Sequence, residues 1–392
     1  MTAEVIELDR PSETEDLPNV VDVVAVDEAD VVDELLTRGE RLGADGRQED
    51  AAEAFREARA VARSAGDAPL VAHTEDRIAA SLWDAGRLAA AERHLRTALA
   101  IHESGSDGER IGWARYRLGW LLASEARGEA RRSEALELLS SARSLAAECD
   151  DRHRVASCDE KAAWVLAARG DHAESVSVLH KVVAVFTAIG AEHDAQMARA
   201  NLAVQLLALG DLEQAEFHLR AVWVANRDAG VHDAGVSTRL ARLLADSGRP
   251  EEALAILDES AVEARRSAKG ELAAHHLTRA RACNVAQLRV AAREAAEEAI
   301  VTLRGALLPG LHAEALEFLA RCVEADVGAD DSVEAEQNRH HADALLGEAM
   351  ALYLVADQPA EARRLAQDLV PTPPSAEDEE PAHPALATGV YL

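Results

Sequence analysis

Tryptophan, tyrosine and basic residues give this sequence its clearest capacity for molecular recognition. Four of the five tryptophans fall between residues 83 and 164, and basic residues recur through the same region. Aromatic rings and arginines are the usual anchors of protein interfaces, and arginine pairs with carboxylates through two hydrogen bonds. The pattern therefore favours binding of an acidic peptide segment with bulky apolar side chains. The candidate binding residues are Arg77, Trp83, Trp113, Tyr116, Arg117, Trp120, Lys161, Trp164, Asn201, Arg239 and Arg242.

The same residues have a structural interpretation, which the sequence leaves open. Tryptophans in helical proteins also fill the space between helices, and arginines pair with acids of neighbouring segments. Asp76, Asp84 and Glu160 are available as such partners. For Asn201 the structural role is the simpler one.

Patterns that would indicate catalysis, a cofactor or a metal are weak. The pairs His275-His276 and His340-His341 could suggest a metal site, but adjacent residues on a helix point about 100° apart. The sequence contains no GxxxxGKS, GxxxxGKT or GxGxxG phosphate-binding loop and no GxSxG nucleophile motif. We therefore expect a protein that is not an enzyme and uses no cofactor and no metal.

Composition limits the class of partner. The chain has 392 residues and a net charge of −30, so it is a poor ligand for nucleic acid, whose phosphates attract cations. No apolar stretch is long enough to span a membrane, and the first residues lack the pattern of a secretory signal. The four cysteines form no CxxC motif. These features predict a cytoplasmic protein that binds a protein or peptide, with no nucleic acid and no membrane as partner.

The elements that position the candidate residues follow from glycine spacing. Two series of glycines recur at intervals of about 40 residues. Since glycine readily adopts the left-handed conformation that ends a helix, two alternating series predict two helices per repeat. The first series is Gly46, Gly86, Gly128, Gly170, Gly210 and Gly248, and the second is Gly190, Gly230, Gly270 and Gly310.

Apolar residues recur with the same period. In the second helix of a repeat, a small residue is followed by a large one four positions later and a small one after three more, as in Ala91, Leu95 and Ala98. In the first helix, a small residue precedes a leucine by three positions, as in Gly119 and Leu122. Both spacings place the apolar residues on one face of a helix. Small residues at fixed positions allow two helices to approach closely.

This pattern resembles the tetratricopeptide repeat (TPR) family. The resemblance rests on the small-to-large pair in Leu118-Gly119-Trp120-Leu121-Leu122 and on the run Ala91-x3-Leu95-x2-Ala98. It covers about residues 31–300, with an irregular continuation to 370. The repeat is about 40 residues long rather than 34, and most of the family's aromatic positions are replaced. The longer period is similar to the kinesin-light-chain-like or MalT-like subclass.

The resemblance implies an all-α fold, a right-handed superhelical solenoid of antiparallel helix pairs. First helices would line its concave face, which places the candidate residues in a basic and aromatic groove. We expect a disordered acidic tail at 1–30 and one solenoid domain at 31–370, with about seven to eight repeats and a C-terminal cap. A disordered acidic, proline-rich tail would follow at 371–392.

Two functions fit this architecture. The first is a scaffold or adaptor that binds a peptide segment of a partner. The alternative is a regulatory sensor that acts in trans on a transcription factor or binds a signalling peptide. The C-terminal segment is acidic and then apolar, ending in Tyr391 and Leu392. Either tail could therefore dock in the groove of its own or another copy and compete with the ligand.

Overall fold

A computed structural model of the chain describes residues 28–124, 128–231, 233–326 and 333–369. Within these ranges the regular elements are seventeen α-helices, which confirms the all-α prediction. The chain divides into two compact units, and the division falls after Val165. The first helix begins at Glu28, slightly before the expected start of the repeats. The expected tails otherwise lie outside the described residues, and a single domain over 31–370 stays a prediction.

The first unit is built of helices that pack on their neighbours in chain order. Short connections join them, which is typical of antiparallel helix pairs. The helices are α1 (Glu28–Ala44), α2 (Gln48–Ser64), α3 (Ala68–Asp84), α4 (Leu88–Glu103), α5 (Gly108–Ser124), α6 (Glu129–Glu148) and α7 (Arg152–Arg169), in which the division falls.

The second unit continues the alternation of first and second helices. Its helices are α8 (His172–Ala188), α9 (Glu192–Leu209), α10 (Leu212–Asp228), α11 (Ala234–Asp246), α12 (Pro250–Ala264), α13 (Lys269–Val285), α14 (Arg289–Leu303), α15 (Pro309–Asp326), α16 (Val333–Val355) and α17 (Pro359–Leu369). The first helices α11, α13 and α15 also contact one another in sequence. The last three helices lie in the region where the sequence predicts an irregular continuation to 370 and a C-terminal cap.

Close helix contacts form at the small positions, as the sequence predicts. Ala91, Leu95 and Ala98 are all buried on α4. Gly119 is buried on α5, and a Cβ atom at this position would lie 2.9 Å from Cγ of Leu139 on α6. Real Cβ atoms do not approach a neighbour so closely, so the contact between α5 and α6 depends on glycine.

Five glycines of the first series end helices as predicted, whereas Gly128 is the N-cap of α6, with ψ at 145°. All six have left-handed φ angles of 72° to 91°, at Gly46, Gly86, Gly128, Gly170, Gly210 and Gly248. Gly190 and Gly230 behave alike. For Gly270 and Gly310 the prediction is wrong, because each lies in the first turn of a helix. A Cβ atom on Gly270 would lie 2.8 Å from Cδ1 of Leu308, so a close contact explains this glycine.

Gln287 occupies the left-handed position after α13, with φ at 61°. A side chain in this conformation is strained, and the exposed Gln287 side chain has no hydrogen bond that would compensate. We expect Gln287→Gly to raise the free energy of unfolding by about 0.5–1 kcal/mol, measured by urea denaturation. Gly248→Ala is the reverse control and should lower it. A less stable Gln287→Gly variant would contradict the assignment.

His275 on α13 is a buried histidine, with 3% of its surface exposed. Burial, and then the neighbouring His276 and Arg279, lower its pKa from 6.5 to about 4. The unfolded chain therefore binds a proton at this residue more tightly than the folded chain does. The stabilisation is complete above the unfolded pKa of 6.5 and is lost as the pH falls toward 4.

We expect His275 to contribute about 3 kcal/mol to the loss of stability between pH 7 and pH 4. His275→Gln should reduce that loss, as measured by denaturation at a series of pH values. His340→Gln removes one imidazole from an exposed position and is the matched control. The same loss in wild type and His275→Gln would refute the assignment.

Candidate functional site

Four predicted aromatic residues of the first unit form one cluster, here called the aromatic cluster. Trp83 near the end of α3 faces Trp120 of α5, with ring centroids 4.8 Å apart. Tyr116 lies 6.1 Å from Trp120 and 5.9 Å from Trp113. The three α5 rings are spaced by three and four residues, so they share one face of the helix. The adjacent residue Gly119 faces α6 instead. With Gly119 against α6, Trp120 lies on a different side of the helix and contacts α3.

Arg77 and Arg117 occupy equivalent positions on α3 and α5, and each pairs with an acid. Arg77 pairs with Glu40 on α1, and both side chains are substantially exposed. Arg117 forms an ion pair with Asp76, with Nη1 2.7 Å from Oδ2. The Asp76 side chain is only 8% exposed, so this ion pair is half-buried. Arg117 therefore has a structural role, the pairing with a neighbouring acid that the sequence left open.

Lys161 extends the aromatic cluster to α7. Its Nζ lies 4.9 Å from the centroid of Trp120 and 5.2 Å from that of Trp164, which are cation–π distances. It also pairs with Glu160 at 2.8 Å. The Lys161 side chain is 13% exposed, less than the sequence interpretation of a groove cation requires.

Two cavities lie beside the aromatic cluster, and both are bounded by His73, Asp76 and Arg117. The first cavity has a volume of about 500 Å³ and is completed by Asp67, Pro69, Leu70, His102, Arg110 and Trp113. The second cavity has a volume of about 390 Å³ and is completed by Arg77, Ala79, Ala80, Trp83, Asp84, Leu95 and Trp120. The predicted residues of α3 and α5 thus line concave space on both sides of one carboxylate.

Three predicted residues belong to the second unit. Asn201 is half-buried on α9. Arg239 on α11 is exposed, and no acid among the described residues pairs with it. Arg242 lies 3.1 Å from Oε1 of Glu314 on α15, which also accepts a hydrogen bond from Arg281 at 2.6 Å. Arg242 therefore helps to join α11 to α15.

Sequence reasoning missed four basic residues around the first cavity, one of which is Arg110 in its wall. His73 and His102 line it, and Arg154 lies behind Trp113 with its guanidinium 4.9 Å from the ring centroid. Arg154 is 2% exposed and donates to the carbonyl of Glu109 at 3.4 Å. Nothing in the repeat pattern marks Arg154 as buried. The 41-residue offset from Asp76 to Arg117, close to the repeat length, was the available signal for their pairing.

Glu75, the residue before Asp76 on α3, is a buried acid with several hydrogen-bond partners. Glu75 is 1% exposed and accepts hydrogen bonds from Arg59, Arg63 and His94. Desolvation opposes its ionisation, but the hydrogen bonds from His94 and Arg59 lower its pKa below the usual value.

Partial desolvation and the Arg77 and Arg117 charges lower the pKa of His73, so this imidazole is neutral at neutral pH.

In the part of the chain that the structure describes, every helix is too short or too polar to span a lipid bilayer. Within the same ranges, histidine, cysteine and acidic side chains form no cluster of three or more with the geometry of a metal site.

No protein-family model matches the sequence, and no curated protein matches it either. Several solved structures are similar to the fold. The STAND protein with a tetratricopeptide repeat sensor from Pyrococcus horikoshii has a TM-score of 0.59 and 12% identity over 85% of this chain and 48% of that one. This chain thus spans about half the length of that protein.

Two further structures are similar over most of the chain. Aspartyl phosphate phosphatase F from Bacillus subtilis has a TM-score of 0.55 and 13% identity, covering 72% of each chain. The Rap conjugation gene regulator of plasmid pLS20, solved in complex with the Phr* peptide, has a TM-score of 0.52 and 13% identity over 82% of this chain and 96% of that one. These similarities define the fold as TPR-like, as the sequence predicted. At such identities the likeness extends to the fold alone.

The ion pairs of Arg117 and Arg77 should differ in energy, because only Asp76 is buried. We expect Arg117→Gln to lower the free energy of unfolding by about 2 kcal/mol, since it leaves a buried carboxylate without its cation. Arg77→Gln, at an exposed pair, should cost less than about 1 kcal/mol and is the matched control. Urea denaturation measures both. Equal losses would contradict the role assigned to Asp76 burial.

Proposed function

We propose that this chain is a non-catalytic peptide-binding protein in which α3, α5 and α7 bind a segment of a protein partner. The aromatic cluster, open on both sides to cavities, is the observation that carries the proposal. Trp113 and Trp164 are each 38% exposed, so both present large apolar groups to solvent. Exposed aromatic rings next to concave space are typical of sites that take bulky apolar side chains.

The charged groups around the cluster support an acidic segment as ligand. A guanidinium has five N–H donors, so Arg77 and Arg117 retain donors beyond those that pair with Glu40 and Asp76. Their side chains are 37% and 43% exposed and can accept further carboxylates. The net charge of −30 argues against nucleic acid as the partner.

Regulation is the second candidate role, and the structural neighbours favour it. A protein of similar fold is described in complex with a Phr* peptide, and another carries its tetratricopeptide repeats as a sensor. We propose by analogy that this chain binds a signalling peptide or acts in trans on a partner protein.

The buried thiols of Cys158 and Cys283 are unpaired, in keeping with a cytoplasmic location.

The segment 371–392 is a proposed competitor for the site. It is acidic and then apolar, which are the properties proposed for the ligand. Tethering raises the effective concentration to the order of millimolar, so weak affinity would suffice. Removal of 371–392 should then tighten peptide binding several-fold in a fluorescence titration, and unchanged affinity would refute competition by this segment.

Selection of random octapeptides displayed on phage against the full chain tests the main proposal. We expect peptides with acidic and aromatic or large aliphatic residues. Trp113→Ala and Trp164→Ala should each weaken a selected peptide at least about tenfold, measured by fluorescence anisotropy. Both residues are exposed enough that the fold should persist.

Phe217→Ala is the matched control, because Phe217 is an aromatic residue of the second unit with 64% exposure. Its affinity should stay within twofold of wild type. Selection of no peptide, or equal binding by wild type and both tryptophan variants, would overturn the proposal. Lys161→Glu is a poor test, since it would bring a second carboxylate beside Glu160 at a mostly buried position.

A further inference from the structure

Asp76 stands between the two cavities with one oxygen that no protein donor reaches. Its Oδ2 forms an ion pair with Nη1 of Arg117 at 2.7 Å and lies 3.7 Å from Nε2 of His102. Its Oδ1 is fully buried and has no hydrogen-bond partner among the described residues. A carboxylate buried with an unsatisfied oxygen costs free energy, and such groups in folded proteins call for an explanation.

The neighbouring acid shows that α3 can satisfy a buried carboxylate completely. Glu75 is even less exposed than Asp76, and both of its oxygens accept hydrogen bonds from Arg59. Arg63 donates a second hydrogen bond to Oε1, and His94 forms a second hydrogen bond with Oε2. The contrast separates a carboxylate whose two oxygens are both hydrogen-bonded from one with an unsatisfied oxygen. Asp76 lines both cavities described above.

The walls around Asp76 suit a nitrogen group that donates hydrogen bonds. Trp113 lines the first cavity and Trp83 lines the second, and aromatic rings attract cations. The guanidiniums of Arg154 and Arg117 already lie 4.9 and 5.9 Å from the centroid of Trp113. The lowered pKa of His73 keeps its ring neutral, so this residue adds no repulsive charge. The cations Arg117, Arg77 and Arg110 lie on the same walls but are paired with acids.

We propose that Oδ1 of Asp76 is the anchor for an N–H donor group of the bound peptide, either its free amino terminus or the side chain of a lysine or arginine. The inference rests on the proposed peptide-binding function and specifies the chemistry of one contact. It agrees with an acidic ligand, because an acidic peptide still carries one ammonium group at its amino terminus. Acidic side chains would then lie toward the exposed edges of Arg77 and Arg117, and the nitrogen group would enter beside Asp76.

Matched synthetic versions of one selected octapeptide provide the test. The versions carry a free or an acetylated amino terminus, and norleucine in place of each lysine or arginine. Fluorescence anisotropy measures their affinity for the full-length wild type, Asp76→Asn and the control Asp84→Asn. Asparagine has the size of aspartate but lacks its charge, and Asp84 is an exposed acid on the same cavity wall.

We expect acetylation or one norleucine replacement to weaken binding to wild type at least about tenfold. The version that loses affinity identifies the amino terminus or the side chain as the source of the donor. Asp76→Asn should bind both members of that pair within about twofold of each other, whereas Asp84→Asn should keep the wild-type preference. The melting temperature of Asp76→Asn should not fall as that of Arg117→Gln does, because the substitution removes the buried charge itself and leaves only the partly exposed Arg117 without its ion-pair partner.

Two results would overturn the inference. The first is wild-type affinity that is unchanged by acetylation and by every norleucine replacement, a result that depends on no protein variant. The second is a preference that persists in Asp76→Asn. In both cases the peptide still binds and still depends on Trp113, so the proposed function would stand. Loss of dependence on Trp113 would instead refute the proposed function.

Discussion

Close approach of helices at positions with small side chains is the constraint on which the rest of the first unit depends. Gly119 lies so near Leu139 that no side chain fits between α5 and α6. The contact fixes the rotation of α5, and the next residue, Trp120, must then point toward α3 and meet Trp83. The aromatic cluster is thus a consequence of the small-residue pattern, and a rotated α5 would separate its rings.

Charge pairing decides what this arrangement offers to a ligand. The chain is strongly acidic, yet its cations around the aromatic cluster are matched one to one with acids. The result is a surface of mixed charge with an apolar centre, and recognition depends on which donors and acceptors remain available. Exposed edges of Arg77 and Arg117 provide donors, and Oδ1 of Asp76 provides a buried acceptor. A ligand with separated acidic and amino groups complements both.

Helix order, helix ends and the aromatic cluster could be predicted because each follows from spacing along the sequence. The stripe Ala91, Leu95 and Ala98 and the α5 rings need only the period of an α-helix. Gly270 was misread because its role is a close contact with Leu308, a residue from another segment. The Asp76–Arg117 pair and the burial of Arg154 depend on distances between helices, which repeat spacing constrains only loosely. Asn201, Arg239 and Arg242 fall in the second unit, where spacing alone could not relate them to the aromatic cluster.

The indole N–H resonances of the full chain provide the most direct test of the central claim, that the aromatic cluster of α3 and α5 is the peptide-binding surface. The five tryptophans give five such signals, which single Trp→Phe variants would assign. Titration with a selected octapeptide should shift the signals of Trp83, Trp113, Trp120 and Trp164 and leave Trp223 of the second unit unchanged. A saturating titration in which only Trp223 moves, or in which no indole signal moves, would contradict the account.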